Sequence, residues 1–500
     1  MKQLAGLDAG FVHMEGPRTP FQVGTLLFYD VSTTKNKLVR FKDILATFES
    51  RVGSQSVLRK KLQTVPFNLD HPYWVDDLDF DIEYHVRHVA LPKPGDWRQL
   101  CILVARMHAR SLDMSRPLWE VYVIEGLDNV PGLPKGGFAL YVKLHHAAID
   151  GVSGDELVSA IHDLEPYPSS KSAKNEPAGS ARSKGPGDIE MLTRAYLNLL
   201  RQPKRVFNLA ARAGPAWLRL RKGREENQFT PLGPAQNTRF NRRVSGYLVM
   251  DAVIFELQDL KTIKNAFEKV TINDVMLAIV SGAMQRYLIL HEETPERNLS
   301  AGMPINIRPM LDKPDYSDTS NLVTVAKVNL NNLTEDPLER LRAIHTSAME
   351  SKAYQNALGV DVMLEVSKSM PALLTSLASR AIPSLMTSVD PLVNTVVTNV
   401  PGSPVPLYMG GARLAGMCNM GIVLDGLGIF HAVSSYCGTA TVAFQACRVA
   451  MPDPENYRIC LQESFDAMLG AVKKASKSGS AKAPRRKRQA RPKTAPKSRL

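Results

Sequence analysis

No stretch of this 500-residue chain reaches the roughly 18 unbroken apolar residues that a membrane-spanning helix needs. The nearest candidate, residues 370–386, is interrupted by Pro371, Arg380, Pro383 and several serines. The first residues, MKQLAGLDAGF, carry Asp8 inside too short an apolar run for a secretory signal. Cysteine is scarce: Cys101, Cys418, Cys437, Cys447 and Cys460 form no Cys-x-x-Cys pair and no zinc-like spacing. An odd number of thiols without an export signal reads as reduced cysteine, with neither a disulfide framework nor a structural metal. A protein that stays in the cytosol, or on the cytosolic face of a membrane, is expected.

Acid is missing from two places. Residues 473–500 hold twelve Lys/Arg and no Asp or Glu, so subtracting 12 from the net charge of +13 leaves the rest of the chain near +1. That segment contains no aromatic residue and Thr494 as its one β-branched residue, so it cannot build a core and is expected to be disordered. Three uses stay open for it: a solvated tail, adhesion to an anionic lipid surface, and, less favoured, nucleic-acid contact. Residues 191–224 carry nine Lys/Arg and no acid. There Leu192, Tyr196, Leu199 and Leu200 recur at helical spacing, and a kink is expected at Pro203. Such a helix suits a membrane surface or an interdomain crossover packed on the protein.

With 44% hydrophobic residues the chain has material for large cores, and its length suggests two to four domains. Strand-like and helical patterns alternate over residues 1–165, including VGTLLFYDV, FKDILATFESRV, LWEVYVIEGL and GFALYVKLHH. Residues 166–188 turn rich in Pro, Ser, Gly and Ala and read as a linker. Patterned sequence resumes near residue 238, with TINDVMLAIVSGAMQRYL, LSAGMPINI, NLVTVAKVNL and a glycine-rich β section from residue 394. This divides the chain into a lobe over 1–165, a linker and crossover over 166–237, a second lobe over 238–472 and a tail over 473–500. The fold class is mixed α/β.

The stretch LYVKLHHAAIDG, residues 140–151, sets two of the eleven histidines in tandem where a strand stops. Period-two alternation places His146 with Leu140, Val142 and Leu144, and His145 with Tyr141 and Lys143 on a more polar face. An imidazole emerging from an apolar wall is disfavoured in its charged form, which suits a general base. Asp150-Gly151 supplies a turn, and the SGDE sequence at 153–156 fits a capping box opening a helix. Pattern alone leaves catalysis, a structural role and metal binding open, although no further ligands stand at matching spacing.

His-His-x-x-x-Asp-Gly resembles the signature of the chloramphenicol-acetyltransferase-like acyltransferase superfamily, which also includes peptide-synthetase condensation domains. LDAGFVHMEGPRTPFQVG, YWVDDLDFDIEYHVRHVALPKPG, PLWEVYVIEGL, NDVMLAIVSGAMQRYL, MPINIRP and NVPGSP, in that order over residues 4–470, resemble the bacterial wax ester synthase/diacylglycerol acyltransferase family. The resemblance implies two chloramphenicol-acetyltransferase-like lobes with the active site in a tunnel at their interface. It implies fatty acyl transfer from acyl-CoA, a co-substrate rather than a cofactor, to diacylglycerol or a long-chain alcohol, with no bound cofactor or metal. His146 is then the general base. His145 supports it, Asp150 pairs with an arginine for which Arg308 is the candidate, and Gly151 allows a close turn. Asn273 and Asp274 come near the histidine from the second lobe. Asn273 is either an oxyanion donor or, like Thr271, a helix cap. Trp119 reads as a core residue or as a channel wall. Two departures stand out: Gln22 within Pro20-Phe21-Gln22-Val23-Gly24, where the family has Pro-Met-His-Val-Gly, and Ser320-Asn321 in place of Gly-Asn. Both bear on substrate preference. Two other functions compete with this one, a condensation-type enzyme using carrier-bound acyl groups and a non-catalytic lipid-particle scaffold.

Overall fold

The computed structural model describes residues 2–52, 56–151, 154–167, 185–230, 233–306, 323–359, 362 and 389–477. The first half contains β1 (Lys2–Gln3), α1 (Gly6–Met14), β2 (Gln22–Asp30), α2 (Phe41–Val52), β3 (Lys60–Gln63) and β4 (Tyr73–Asp76). It continues with α3 (Ile82–His85), β5 (Val86–Ala90), α4 (Trp97–His108), β6 (Trp119–Leu127), β7 (Gly137–His145) and α5 (Gly154–Ile161). A single helix, α6 (Asp188–Glu225), leads to the second half. There follow β8 (Leu248–Glu256), α7 (Leu257–Asn265), α8 (Ile272–Leu290), β9 (Ser300–Asn306), β10 (Val323–Asn329) and α9 (Pro337–Leu358). The chain ends with β11 (Thr395–Pro401), β12 (Tyr408–Met409), β13 (Ala412–Met420), β14 (Ile429–Tyr436), β15 (Thr439–Cys447) and α10 (Pro454–Lys477).

Two mixed six-stranded sheets organise these elements, ordered β12-β13-β2-β7-β6-β5 and β10-β9-β11-β14-β15-β8, beside a small sheet β1-β4-β3. The mixed α/β class read from the sequence is the class observed. The lobe boundary differs from the expected one. Residues 408–420 fall within the expected second lobe, yet β13 pairs antiparallel with β2, from Arg413 opposite Asp30 to Met420 opposite Gly24. This pairing covers an edge of β2 that would otherwise expose its backbone donors and acceptors.

β7 lies inside its sheet, hydrogen-bonded to β2 on one side and β6 on the other. All nine of its residues are buried. Its Leu140, Val142 and Leu144 join a core with Leu27, Tyr29, Val121 and Trp119. The opposite face, expected to be the more polar one, is polar and also buried, because α4 covers it through a second core containing Tyr141, Leu100 and Val104. Lys143 survives there by pairing with cross-strand Glu120 at 3.0 Å. The carboxylate also meets Arg87 at 3.2 Å and accepts from the Tyr122 hydroxyl at 2.8 Å. An ammonium so enclosed needs such partners to stay charged, and burial pulls its pKa down against the Glu120 attraction.

The second lobe is built around α8, which is apolar on nearly every side and buried from Asp274 to Met284. A helix of that composition is stable only when packed all round. The last helix corrects the expected tail boundary. α10 continues to Lys477, so residues 473–477 are helical. Its buried stripe reaches Val472, and Lys474 and Lys477 in the last turn complement the negative end of the helix dipole.

α6 runs 38 residues, about 57 Å at 1.5 Å per residue, and Pro203 lies inside it without ending it. Its start buries Met191 and Ala195 against Val65, Tyr73 and Val75 of the first half. Near its end, Arg219 donates to the carbonyls of Ala357 and Leu358 at 3.0 and 3.3 Å, capping α9. Of the residues read at helical spacing, Tyr196, Leu199 and Leu200 face outward and are more than 60% exposed, so they do not form a stripe packed on the protein. No described helix is long and apolar enough to cross a membrane.

Candidate active site

His146 opens a 3-10 turn, His146–Gly151, directly after β7. The alternation that would have set its face therefore ends one residue before it. Its backbone N–H donates to the Phe21 carbonyl at 2.8 Å, tying the turn to the residue that precedes β2. The ring lies 4.2 Å from the Phe11 ring, centroid to centroid, at an interplanar angle of 54°. Phe11 stands on α1, which packs on this turn, and Ala147 and Ala148 join Leu4, Ala9 and Leu118 in a small core. Burial, helped by the neighbouring His145, pushes the His146 pKa down to about 4. The direction is the expected one, and the imidazole is held in its neutral, proton-accepting form.

His145 is fixed from both ring nitrogens. Nδ1 accepts from the Ala147 N–H at 3.1 Å, and Nε2 lies 2.7 Å from Glu15 Oε2. An Nδ1 that accepts leaves Nε2 as the nitrogen that donates, so one tautomer is selected. The side chain is 1% exposed and the Glu15 side chain 10%. His145 therefore holds the turn that carries His146.

Gln22 lies opposite His145 in the β2–β7 ladder. It is buried, and its amide donates to the His108 carbonyl and, at 2.8 Å, to the Arg110 carbonyl. Lys143 donates to Met107 and Arg110 carbonyls at 3.4 and 3.0 Å. Together they satisfy carbonyls of the last turn of α4, which a helix leaves without intrahelical partners, and that of Arg110 just past it. Gln22 is thus an internal anchor of α4. Trp119 is likewise a core residue, 2% exposed, donating to the Leu58 carbonyl at 2.8 Å and stacked on His85.

The neighbouring pair Asn273-Asp274 divides its work, because successive helical residues point about 100° apart. Thr271 is the N-cap of α8. Its hydroxyl accepts from the Asp274 N–H at 3.2 Å, and the Asp274 carboxylate accepts from Thr271 in return, a capping box. Asp274 also accepts from His345 Nδ1 of α9 at 2.9 Å. Asn273 takes no part in the cap and is exposed to a cavity of about 270 Å³. Met276, Leu277, Met303, Val397 and Val433 give that cavity an apolar wall. Asn399, from the NVPGSP stretch, reaches it from β11 and hydrogen-bonds to Asn273 Oδ1. Its segment is a strand to Pro401, within the β section expected from residue 394.

The structure thus assembles two groups, one around His146 at the end of β7 and one around Asn273 at the start of α8. Arg308, Ser153 and Ser320-Asn321 lie outside the described residues, as do the side chains of Asp150 and the opening residues of α5. Gly151 closes the 3-10 turn. Among the described residues no group of three or more His, Cys, Asp or Glu is placed to hold a metal ion. Glu15, Phe11, His345 and Asn399 carry no signal by spacing, since the contacts they make span from 71 to 135 residues of chain.

Comparison with known proteins gives this geometry a family. Residues 4–276 match the wax ester synthase/diacylglycerol acyltransferase catalytic domain, and residues 319–469 match the WS/DGAT C-terminal domain. The O-acyltransferase WSD of Acinetobacter baylyi is 31% identical over 95% of this chain and 98% of its own. A probable diacylglycerol O-acyltransferase of Mycobacterium tuberculosis is 33% identical over 93% of this chain and 98% of its own. The solved wax ester synthase/diacylglycerol acyltransferase from Marinobacter aquaeolei VT8 superposes with a TM-score of 0.63 at 23% identity, covering 94% of this chain and all of that one, a likeness of fold. The chain belongs to the wax ester synthase/diacylglycerol acyltransferase family. It is an O-acyltransferase of that family.

Proposed function

We propose that this protein transfers a fatty acyl group from acyl-CoA to the hydroxyl of diacylglycerol, a long-chain alcohol, or both, with His146 as general base. The observation that carries the reading is the His146 ring at the strand end, packed on Phe11, with its neighbour His145 locked by Glu15 and by the Ala147 N–H. An alcohol gains nucleophilicity only as its proton leaves. His146 takes that proton while the oxygen attacks the thioester carbonyl. The new C–O bond forms, the C–S bond breaks, and the imidazolium returns the proton to the departing CoA thiolate. A positioned base contributes about 100- to 10,000-fold. The donor end of the Asn273 amide is assigned to the oxyanion that forms in between. No cofactor or metal is assigned, since acyl-CoA is consumed as a substrate. Asp150 and Arg308 are assigned to hold the turn as an ion pair, and Gly151 to let it close.

Peripheral attachment to a membrane or lipid droplet belongs to the same proposal. Support comes from α6, where Leu199, Leu200, Phe207, Trp217 and Leu218 are each about 60–70% exposed among basic residues. Apolar side chains interleaved with Lys and Arg suit an anionic lipid interface. The deciding experiment incubates purified protein with palmitoyl-CoA and either diacylglycerol or hexadecanol. Ester formation that disappears in His146→Ala is expected. Wild-type turnover in that variant would refute the assignment.

A further inference from the structure

We propose that Asn399 is a positioning residue for acyl transfer, fixing the side-chain amide of Asn273 so that its NH2 end, and not its oxygen, is offered to the ligand. The inference rests on the reading of Asn273 as the oxyanion donor. A primary amide has an acceptor end and a donor end, and only the donor end can stabilise a negative oxygen. An amide left to itself exchanges those ends by rotation about its side-chain bond. Here Asn399 Nδ2 donates to Asn273 Oδ1, which engages the acceptor end. Asn273 makes no other side-chain hydrogen bond among the described residues, so its Nδ2 is the end left for a ligand.

The backbone frame supports this division. The capping box at Thr271 and Asp274 fixes the first turn of α8, and the His345 bond to Asp274 ties that turn to α9. Asn399 is held in the ladder between β11 and β14, opposite Val433. Val433 and Val397, two residues before Asn399, line the same cavity as both asparagines. The two amides therefore meet across an opening between a helix start and a strand, each carried by rigid backbone. An amide that accepts at one end and is open to a cavity at the other is pre-oriented, so no reorganisation is needed when charge develops on a substrate oxygen.

Asn399→Asp tests the idea. A carboxylate only accepts, so it draws the Asn273 NH2 toward residue 399 and turns the oxygen to the ligand. With palmitoyl-CoA and hexadecanol as substrates, we expect N399D and N273A each to lower kcat by about 100-fold, the scale of one lost oxyanion donor. KM for palmitoyl-CoA should stay within about threefold, because the interaction is realised in the transition state. The double variant N273A/N399D should be no slower than N273A alone. Asn399→Leu removes the partner without adding charge, and should give a smaller loss that is likewise silent beside N273A. It carries the test if N399D fails to fold. Wild-type kcat in N399D, as a reversed pair would give, overturns the inference while leaving the oxyanion reading intact if N273A is slow. Multiplying losses in the double variant also overturn it, since they mean that Asn399 acts by charge or structure independent of Asn273. Wild-type kcat in N273A removes the oxyanion reading itself, and this inference with it.

Discussion

His145 and Glu15 face each other across 130 residues of sequence, with Nε2 and Oε2 2.7 Å apart in a nearly solvent-free setting. Leaving one member of such a pair unsatisfied costs about 1–3 kcal/mol, more for a charged group. His145→Ala should therefore lower the unfolding midpoint in urea and reduce soluble yield. Glu15→Gln, which keeps an acceptor oxygen, should lose less than Glu15→Ala. Equal stability of the alanine and glutamine variants would show that the contact does not hold the turn.

His146→Ala should behave in the opposite way. The ring packs on Phe11 and sits outside the strand ladder, so a modest change in stability is expected. Activity should fall by about 100- to 10,000-fold. A circular-dichroism melt beside a turnover assay separates the two histidines: one variant loses structure, the other loses rate.

Acid should destabilise the fold before carboxylates begin to titrate. Burial lowers His108, His146 and His162 to a pKa of about 4 and His431 to about 3. All lie below the value of about 6.5 for an unfolded chain. The unfolded state therefore binds these protons first. Their contribution is complete above pH 6.5 and is lost as pH falls from there toward 4. At pH 5.5 each imidazole should cost on the order of 1 kcal/mol. Urea midpoints at pH 7.5 and 5.5 measure this, and an unchanged midpoint would contradict the burial of these rings.

Lipid attachment through α6 predicts a separable phenotype. Replacing Leu199, Leu200, Trp217 and Leu218 by serine should abolish flotation with anionic vesicles, since each large apolar side chain transferred from water contributes about 1.5–3 kcal/mol. Turnover on a short, water-soluble alcohol should persist. Undiminished flotation would move the attachment site elsewhere.

Much of the frame is legible in the residue patterns. The stretches that read as strands and helices fall on β2, α2, β6, β7 and α8 to within a few residues, because short apolar runs and longer helical patterns differ in period and length. The tandem histidines mark the site through their position at a strand end. Less is visible where polar groups are buried. Lys143 reads as a residue of the polar face, and its cross-strand neighbour Glu120, with the Met107 and Arg110 carbonyls, explains how it lies 1% exposed. The available clue is a lysine in one apolar run facing an acid in the next, and β6 offers two acids, Glu120 and Glu125.

The amino-acid order alone determined the class of chemistry: a mixed α/β chain with a His-His-x-x-x-Asp-Gly turn, an Asn-Asp helix start and a basic, amphipathic connector. Each of these is local, carried by residues within a few positions of one another. Tertiary structure decided which partners those residues meet. β13 crosses to complete the first sheet, Glu15 reaches His145, and Asn399 reaches Asn273. Such contacts join residues more than a hundred positions apart, and their geometry is set by sheet register and by helices packing on two cores, which no local pattern encodes.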